Sequence, residues 1–361
     1  MRILLITGSF PPMKCGVGDY SANLASGLAA LPDVEVGVLT GPGAEAGNDV
    51  RLLMPEISWR WQYMGRIVRA IQGFRPDLIH VQYPTEGYGR NVMPFWIPLV
   101  ASLMGVPVVQ TWHEPLRWRS LYWYLPAAFL RGGLVVAEPD FSELSASWVR
   151  PFLARKQMRF IPVGSSIPRV ALEPGERAAI RSRYCREGER IIAYFGFASP
   201  AKRLELLLEI ADPTRDKLVL LCELDKDKGY QKEVLDRINS GVWRDRTVVT
   251  GFLPPAEVGA VLAAADAAVF PFASGVAFRN TSFLAARAQG TFVLTTSRKR
   301  HGYSAGENVF YATPDNVPEM RQALGSYAGQ RLMQANDVGD WPHIARQHLA
   351  FYQELLCGFG R

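Results

Sequence analysis

The chain has 361 residues, of which 48% are hydrophobic and 20% are charged. These proportions exclude a largely disordered protein, and the length is sufficient for two domains that each bury a core. The net charge of +6 favours an anionic ligand or an anionic surface without identifying either. The cysteines lack the spacing of a metal or redox site, so we expect reduced thiols in a cytoplasmic protein: Cys15, Cys185, Cys222 and Cys357.

Short β-branched runs alternate with helical patterns through the first half of the chain, which predicts a parallel sheet covered by helices on both faces. The predicted strands are Ile3–Thr7, Val34–Thr40, Leu78–Gln82, Val106–Thr111, Leu134–Ala137 and Arg159–Pro162. A glycine-bearing loop follows the first strand, and the next helix is expected to begin near Asp19. The spacing of Gly16 and Gly18 is not that of a dinucleotide-binding fingerprint, and ordinary turn glycines are an alternative interpretation.

A second alternation begins after Pro168, with predicted strands at Arg190–Phe195, Lys217–Cys222, Thr247–Thr250, Ala267–Phe270, Thr291–Thr295 and Val309–Tyr311. The sequence therefore predicts two doubly wound α/β domains in tandem, covering residues 1–165 and 166–340. A hinge rich in Pro, Gly and Ser joins them. The last helix, at about 341–361, is expected to pack back on the first domain. Open α/β sheets bind ligands beyond the carboxyl ends of their strands, so we expect the site in a cleft between the domains.

The stretch Tyr194–Leu208 contains a strand end, a tight turn, the cations Lys202 and Arg203, and a helical pattern of leucines. Two positive side chains at a helix N-terminus repel each other and the helix dipole unless an anion is present. This arrangement predicts an anion site, with phosphate as the expected group. Solvated surface charges beside an ordinary turn are the alternative.

Taken together, these segments resemble the retaining nucleotide-sugar glycosyltransferases of family 4, which have the two-domain fold called GT-B. The resemblance covers nearly the whole chain. It is carried by SFPPMKCGVGDY after the first strand, TWHEP, IPVGSSIP at the domain junction, GFASPAKRLELLLE, and VVTGFLPPAEVGAVLAAADAAVFPF followed by RNTSFLAARAQGTFVLTT.

The resemblance implies roles at individual positions. Gly16, Val17 and Gly18 correspond to the loop that brings backbone amides to the donor phosphate. His113 corresponds to a histidine facing the donor sugar, and Lys202 to a lysine on the donor diphosphate. The residues implied to meet the nucleotide base through their main chain are Phe252 and Leu253. A structural histidine and an apolar loop start are the alternatives for His113 and for the Phe252–Leu253 pair.

The sequence departs from the family pattern at several positions. Phe197 replaces a frequent arginine, and Arg203 stands where glycine is usual. Two glutamates, the second of which holds the ribose, are replaced by Ala277 and Ala285. Beside them lies a polar run at a predicted helix start that is suited to phosphate binding or to helix capping: Arg279, Asn280, Thr281 and Ser282.

The resemblance implies transfer of a hexose from a nucleoside diphosphate sugar such as a UDP-sugar to a hydroxyl acceptor, in cell-surface polysaccharide or glycolipid synthesis. The sequence shows no acidic cluster for a divalent metal, so we expect no metal and no cofactor. The alternatives are an epimerase or phosphorylase of this fold, and a nucleotide- or glycan-binding subunit without turnover. Two stretches, Trp59–Ala70 and Leu116–Arg131, combine arginine with large aromatic residues. This combination favours a lipid-linked acceptor and peripheral binding to the inner face of an anionic membrane. The alternative is that these aromatic residues lie in the core or in the acceptor cleft. No nucleic-acid module is recognisable.

Overall fold

The computed structural model describes residues 1–53, 57–116, 126, 130, 132–332 and 340–359. Spatial contacts divide the chain into two compact units. The first unit comprises Met1–Gly164 together with Gly339–Arg361, and the second comprises Ser165–Val338. Each unit is built around one seven-stranded sheet. The C-terminal helix, Trp341–Phe359, therefore belongs to the same unit as the N-terminal sheet.

The sheet of the first unit is parallel throughout and has the order β3-β2-β1-β4-β5-β6-β7. Its strands are β1 (Arg2–Ile6), β2 (Glu35–Leu39), β3 (Val50–Leu52), β4 (Leu78–Tyr83), β5 (Val108–Trp112), β6 (Gly133–Val136) and β7 (Gln157–Phe160). The helices of this unit that are described over their full length, besides the C-terminal one, are α1 (Gly16–Ala29), α2 (Met64–Phe74), α3 (Ile97–Leu103), α4 (Phe141–Leu144) and α5 (Arg150–Leu153).

Both faces of the central strands are buried, as their apolar residues require, whereas the edge strand β7 is exposed. Leu4 and Ile6 of β1 point into one cluster, which also contains Ile67 of α2. Ile3 and Leu5 point into the other cluster, on the side of α1 and the C-terminal helix. That helix contributes the buried side chains of Ile344, Ala345, Phe351, Tyr352 and Leu355. The C-terminal helix thus covers part of a sheet face that α1 alone leaves open.

The second sheet has the order β10-β9-β8-β11-β12-β14-β13, and β13 is its antiparallel edge strand. Its strands are β8 (Arg190–Phe195), β9 (Asp216–Leu221), β10 (Thr247–Val249), β11 (Ala267–Phe270), β12 (Val293–Thr296), β13 (Gly302–Ser304) and β14 (Val309–Ala312). Its helices are α6 (Pro174–Arg181), α7 (Leu207–Ile210), α8 (Gly229–Asn239), α9 (Pro255–Ala264), α10 (Thr281–Ala288) and α11 (Val317–Tyr327). The predicted fold class of two α/β sheets wound on both faces is confirmed.

The predicted helix after Lys202 is wrong in its geometry. A 3-10 turn, Pro200–Lys202, ends at Arg203, which has left-handed backbone angles of φ 51° and ψ 40°. A second 3-10 turn, Leu204–Leu206, then precedes the short helix α7. A left-handed residue breaks the run of helical hydrogen bonds, so the two cations do not share a helix N-terminus. The leucine period reflects packing, since Leu204 and Leu207 are both buried.

Helix α1 begins at Gly16, three residues before the expected start at Asp19. The short strands β3 and β13 were not predicted. In the described part of the chain, every helix is too short or too polar to cross a bilayer.

The close packing around Gly133 in β6 allows a test of how the C-terminal helix packs on the first sheet. Gly133 lies where an added Cβ would approach Leu355 Cδ1 to 2.5 Å and Val109 Cγ2 to 2.9 Å. We expect Gly133→Ala to lower the free energy of unfolding by about 1–3 kcal/mol, because the packed side chains of Leu355 and Val109 must move aside. The control is Gly73→Ala in α2, where nothing lies within 4 Å and alanine should be neutral or stabilising by about 0.5–1 kcal/mol. Equal denaturation midpoints for both variants would contradict this account.

Candidate functional site

The first group of candidate residues lies at the carboxyl edge of the first sheet. Strands β1 and β4 are neighbours there, and the strand order reverses between them, which is where open α/β sheets bind ligands. Helix α1 begins with the exposed Gly16. Gly18 is buried, and an added Cβ would lie 3.2 Å from Ser9 Cβ. Gly18 therefore has a packing reason to lack a side chain, whereas Gly16 leaves the helix start open to a ligand.

His113 directly follows β5 and is 7% exposed. Its backbone N–H donates to the carbonyl oxygen of Tyr83 at 2.8 Å, and its Nε2 lies 2.9 Å from Gln82 Oε1. The ring of Tyr20, on α1, meets the His113 ring edge-on with centroids 4.7 Å apart. The fold thus brings His113 beside the helix that starts at Gly16.

Sequence reasoning missed the polar residues behind His113. His80 and Gln82 alternate with apolar residues along β4 and are completely buried. His348 and Tyr352 of the C-terminal helix are also completely buried, and the Tyr352 hydroxyl oxygen lies 2.6 Å from His80 Nδ1. The alternation of polar residues within an otherwise apolar strand was the available signal. Nothing in the sequence pointed to the partners on the C-terminal helix, which are more than 260 positions away from β4 in the chain.

The second group lies at the carboxyl edge of the second sheet, around Lys202. Its Nζ sits 4.3 Å from the centroid of the Phe272 ring. Burial, with a smaller contribution from the positive charge of Arg279, lowers the pKa of Lys202 to about 8. In the residues that the structure describes, no carboxylate forms an ion pair with this ammonium. Lys202 is thus a half-buried cation beside a second cation, without a counter-charge from the described chain.

Arg203 has a different environment from its neighbour. Its Nη2 lies 2.8 Å from Asp315 Oδ1, and its Nη1 lies 3.4 Å from Glu205 Oε1. Glu205 also accepts a hydrogen bond from the hydroxyl of Tyr230 at 2.5 Å. The guanidinium is therefore already balanced by carboxylates in this conformation.

Two exposed aromatic residues flank the Lys202 region. Phe197 follows β8 and is 52% exposed, and Phe252 follows β10 and is 50% exposed. Their rings lie edge to face with centroids 6.2 Å apart. Leu253, in contrast, packs against the core of the unit. Of the two residues expected at the nucleotide base, Phe252 is exposed and Leu253 is half-buried.

The start of α10 lies beside the turn that follows β8. An added Cβ at Gly196 would be 3.4 Å from Ser282 Cβ. Asn280 does not cap α10 with its side chain; its Oδ1 instead accepts from the backbone N–H of Ala277 at 2.7 Å. Thr281 is half-buried and is the first residue of the helix. Thr281 and Ser282, the residues that the capping alternative concerned, lie inside the helix, and Asn280 at the N-cap makes no side-chain capping bond.

The two alanines that replace the family's glutamates differ in placement. Ala277 is half-buried in the loop before α10. Ala285 lies within α10 and is completely buried in the core of the second unit. Within the described ranges, no group of three or more His, Cys, Asp or Glu side chains could hold a metal ion.

Comparison with known families and structures places the chain in a class. Residues 15–186 match the family described as glycosyl transferase 4-like domain, and residues 189–328 match the family described as glycosyl transferases group 1. Both families are defined by glycosyl transfer, and the two matches fall on the two α/β halves of the chain. The protein is a glycosyltransferase of the GT-B type.

Solved structures agree with this fold. Sucrose-phosphate synthase from Thermosynechococcus elongatus is 18% identical, with a TM-score of 0.74 over 99% of this chain and 100% of that chain. HepE from Anabaena in complex with UDP is 16% identical, with a TM-score of 0.66 over 99% of this chain and 97% of that chain. The catalytic domain of starch synthase IV from Arabidopsis thaliana, bound to ADP and acarbose, is 12% identical, with a TM-score of 0.68 over 99% of both chains. No curated protein sequence matches the chain significantly.

The environment of Lys202 predicts a specific stability effect. Its pKa is about 8 in the folded protein and near 10.5 when unperturbed, so below pH about 8 the folded state bears the full cost of the charge. We expect Lys202→Met to stabilise the unliganded protein at neutral pH by about 1 kcal/mol. The gain should vanish as the pH rises from about 8 to about 10.5, where the unfolded state holds the extra proton.

Urea denaturation across this pH range measures the effect. The control is Lys228→Met, because the Lys228 side chain is 67% exposed and its removal should change stability by no more than about 0.5 kcal/mol. A Lys202→Met protein that is less stable than the parent at neutral pH would refute the interpretation of Lys202 as an uncompensated cation.

Proposed function

We propose that the chain is a family 4 enzyme that transfers a sugar from a nucleoside diphosphate sugar to a hydroxyl acceptor with retention of anomeric configuration. The observation that carries the proposal is the Lys202 ammonium, half-buried beside Arg279. Groups with strongly shifted pKa values cluster at functional sites. The diphosphate of a donor supplies the counter-charge that the described residues do not.

The chemistry of the reaction uses this charge directly. Cleavage of the bond between the anomeric carbon and the diphosphate oxygen leaves the electron pair on the diphosphate. Lys202, Arg279 and the first-turn amides of α10 stabilise that developing charge. A nearby positive charge placed before the reaction begins costs no reorganisation in the transition state. No divalent metal is needed in this proposal, because the chain's own cations take its place.

The remaining site residues keep the roles that the family resemblance implies. The amides of Gly16, Val17 and Gly18 approach the donor phosphate, and His113 faces the donor sugar. Asn280, Thr281 and Ser282 contribute the polar lining at the start of α10. Arg203 stays a donor-site candidate whose ion pairs with Glu205 and Asp315 would have to loosen on binding.

The nucleotide base is assigned to the exposed aromatic pair. Phe197 and Phe252 offer ring surfaces on which a base can stack. HepE was solved with UDP and with UDP-glucose, and starch synthase IV with ADP. These ligands support a nucleoside diphosphate hexose as the class of donor. WaaG, another similar structure, is involved in lipopolysaccharide biosynthesis, which supports a cell-surface glycan or glycolipid as the product class.

A surface of the first unit supports a lipid-linked acceptor. Trp61 is 53% exposed and its ring lies 5.9 Å from that of the exposed Trp96. Arg60, Arg66 and Arg69 are exposed nearby on and before α2. Aromatic rings with basic neighbours match the headgroup region of an anionic bilayer. Trp59, which we expected at this surface, is 3% exposed and belongs to the core. Most of the second aromatic stretch, Leu116–Arg131, lies outside the described residues.

The donor assignment is tested by binding and turnover together. We expect Lys202→Ala to weaken binding of UDP, GDP or ADP, whichever the parent protein prefers in a thermal-shift screen. Turnover with the matching nucleotide sugar should fall on the order of a hundredfold, as for loss of one group that stabilises developing charge. All assays contain EDTA, since the proposal needs no metal. Lys228→Ala is the control, and its activity should be unchanged.

Two results would count against this proposal. Unchanged turnover in Lys202→Ala would remove the central role of that residue. Nucleotide binding without hydrolysis or transfer, over a panel of donors and acceptors, would favour a non-catalytic binding subunit, in line with the replacements at Phe197, Ala277 and Ala285. Interconversion of the donor sugar, or its release by free phosphate, would favour the epimerase or phosphorylase alternative.

The membrane proposal predicts a loss of vesicle binding. Each arginine near an anionic surface contributes about 1 kcal/mol, so the double variant Arg66→Gln, Arg69→Gln should bind phosphatidylserine vesicles roughly 30-fold more weakly in co-sedimentation. The control is Arg183→Gln, Arg186→Gln, which makes the same change in net charge at exposed positions of the second unit. Equal losses in both variants, or no binding by the parent protein, would contradict the proposed surface.

A further inference from the structure

Two side chains in the first turn of α8 hold the turn that carries Lys202. The Gln231 side-chain amide donates to the carbonyl oxygen of Ala198 at 3.0 Å. The Tyr230 hydroxyl oxygen accepts from the backbone N–H of Leu204 at 2.8 Å. Ala198 precedes Lys202 in the chain, and Leu204 follows it. The turn is therefore fastened on both sides of its cation.

The groups involved determine which atom donates and which accepts in each bond. A backbone N–H can only donate, whereas a carbonyl or an ionised carboxylate oxygen can only accept. Gln231 Oε1 accepts from the backbone N–H of Asp225 at 2.7 Å, so the amide nitrogen is the end that faces Ala198. The Tyr230 hydroxyl donates its one proton to the Glu205 carboxylate at 2.5 Å, which leaves its oxygen to accept from the turn. Both side chains thus have their polar atoms matched.

The backbone between these two bonds needs support from outside the turn. Arg203 has left-handed angles of φ 51° and ψ 40°, a conformation that is unfavourable for a residue with a Cβ. The Tyr230 hydroxyl bonds to both of the next two residues, Leu204 and Glu205. Glu205 Oε1 also lies 3.4 Å from Arg203 Nη1. One hydroxyl therefore stabilises the main chain after Arg203 and the carboxylate that attracts its guanidinium.

The loop after β11 makes a third contact with the turn. The backbone N–H of Ala273 donates to the carbonyl oxygen of Ala201 at 3.1 Å. The preceding residue, Phe272, is buried, and its ring centroid lies 4.3 Å from Lys202 Nζ. Tyr230 packs against the hydrophobic core cluster to which Phe272 belongs. The three contacts thus tie the Lys202 turn to buried parts of the second unit.

We propose that Tyr230 and Gln231 are positioning residues that hold the Lys202 ammonium where the donor diphosphate binds. This inference rests on the proposed function, because it concerns the contact between Lys202 and the diphosphate. An ammonium that is in place before the reaction needs no reorganisation when charge develops on the leaving group. Tyr230 and Gln231 act through the turn and not by touching the donor.

The first readout is the position of Lys202 in the unliganded protein. Protons above an aromatic ring resonate upfield because of the ring current, and the Lys202 Cε is bonded to the nitrogen that lies over Phe272. Proton–carbon correlation spectra of the full chain labelled with carbon-13 lysine show this signal, and Lys202→Met identifies it by its loss. We expect Tyr230→Phe and Gln231→Met each to lose most of the upfield shift, because the turn is released at one of its fastened ends.

The matched control is Tyr303→Phe, which removes a tyrosine hydroxyl from the same unit. That hydroxyl lies 2.7 Å from Gln330 Oε1 and 2.9 Å from Asn308 Oδ1. Tyr303 belongs to the edge strand β13, which four strands of the sheet order separate from β9. Because the Lys202 signal reports the Phe272 contact and not overall stability, it should equal that of the parent protein in Tyr303→Phe.

The second readout is nucleotide binding in a double-mutant cycle with Lys202→Ala. UDP, GDP and ADP are the probes, and the one that binds the parent protein most tightly is used for every variant. Tyr230→Phe and Gln231→Met should each weaken its binding on the order of tenfold, as for partial loss of a bond to a charged group. In the Lys202→Ala background the same substitutions should change binding by less than about twofold, because the group that they position is missing.

The two readouts separate the positioning role from the proposed function. Lys202 signals that keep the parental position in both Tyr230→Phe and Gln231→Met overturn the positioning role, whatever the activity. Losses of nucleotide binding that are equal with and without Lys202 also overturn it, because such losses do not act through that residue. Shifted signals in a protein that binds none of the three nucleotides support the placement of Lys202 by α8 and overturn the proposed donor contact.

Discussion

Burial of both faces is the constraint on which the first unit depends. A parallel sheet with apolar residues on each side needs cover on each side, and fully burying one large apolar side chain contributes about 1.5–3 kcal/mol. The chain meets this need with α2 and its neighbours on one face, and with α1 and the C-terminal helix on the other. Because β4 places His80 and Gln82 on the face covered by the C-terminal helix, that helix must also supply polar partners. Tyr352 is such a partner, because its hydroxyl oxygen lies 2.6 Å from His80 Nδ1.

Two adjacent cations of the second unit, Lys202 and Arg203, have different electrostatic environments. Arg203 adopts a left-handed backbone conformation that turns its guanidinium toward Asp315 and Glu205. Lys202, one residue earlier, lies against the Phe272 ring near Arg279 and has a lowered pKa. An ion pair stabilises the folded chain, whereas a desolvated cation is available to an incoming anion. The contrast favours Lys202 over Arg203 as the residue that would meet the diphosphate of the proposed donor.

Several residues that the family resemblance implies are replaced in this chain, which changes the side chains available at the proposed donor site. Phe197 brings an aromatic surface where an arginine is frequent, and it pairs with Phe252 at the same sheet edge. Ala285 is part of the hydrophobic core, so its side chain cannot make the ribose contact that the resemblance implies for a glutamate at this position. The proposed donor site therefore uses aromatic surface, helix amides and cations more than carboxylates.

The sequence by itself determined the α/β class, because alternating strand and helix patterns report burial that is local to each element. It also located the loops after β1, β5 and β8, because their motifs are contiguous. It could not determine that the segment after Lys202 breaks into short turns, because the left-handed Arg203 and the bond from Leu204 N–H to the Tyr230 hydroxyl depend on distant residues. Nor could it join Gln82 to His113 and His80, or His80 to Tyr352, since these hydrogen bonds exist only when strand register and the docking of the C-terminal helix bring their atoms together.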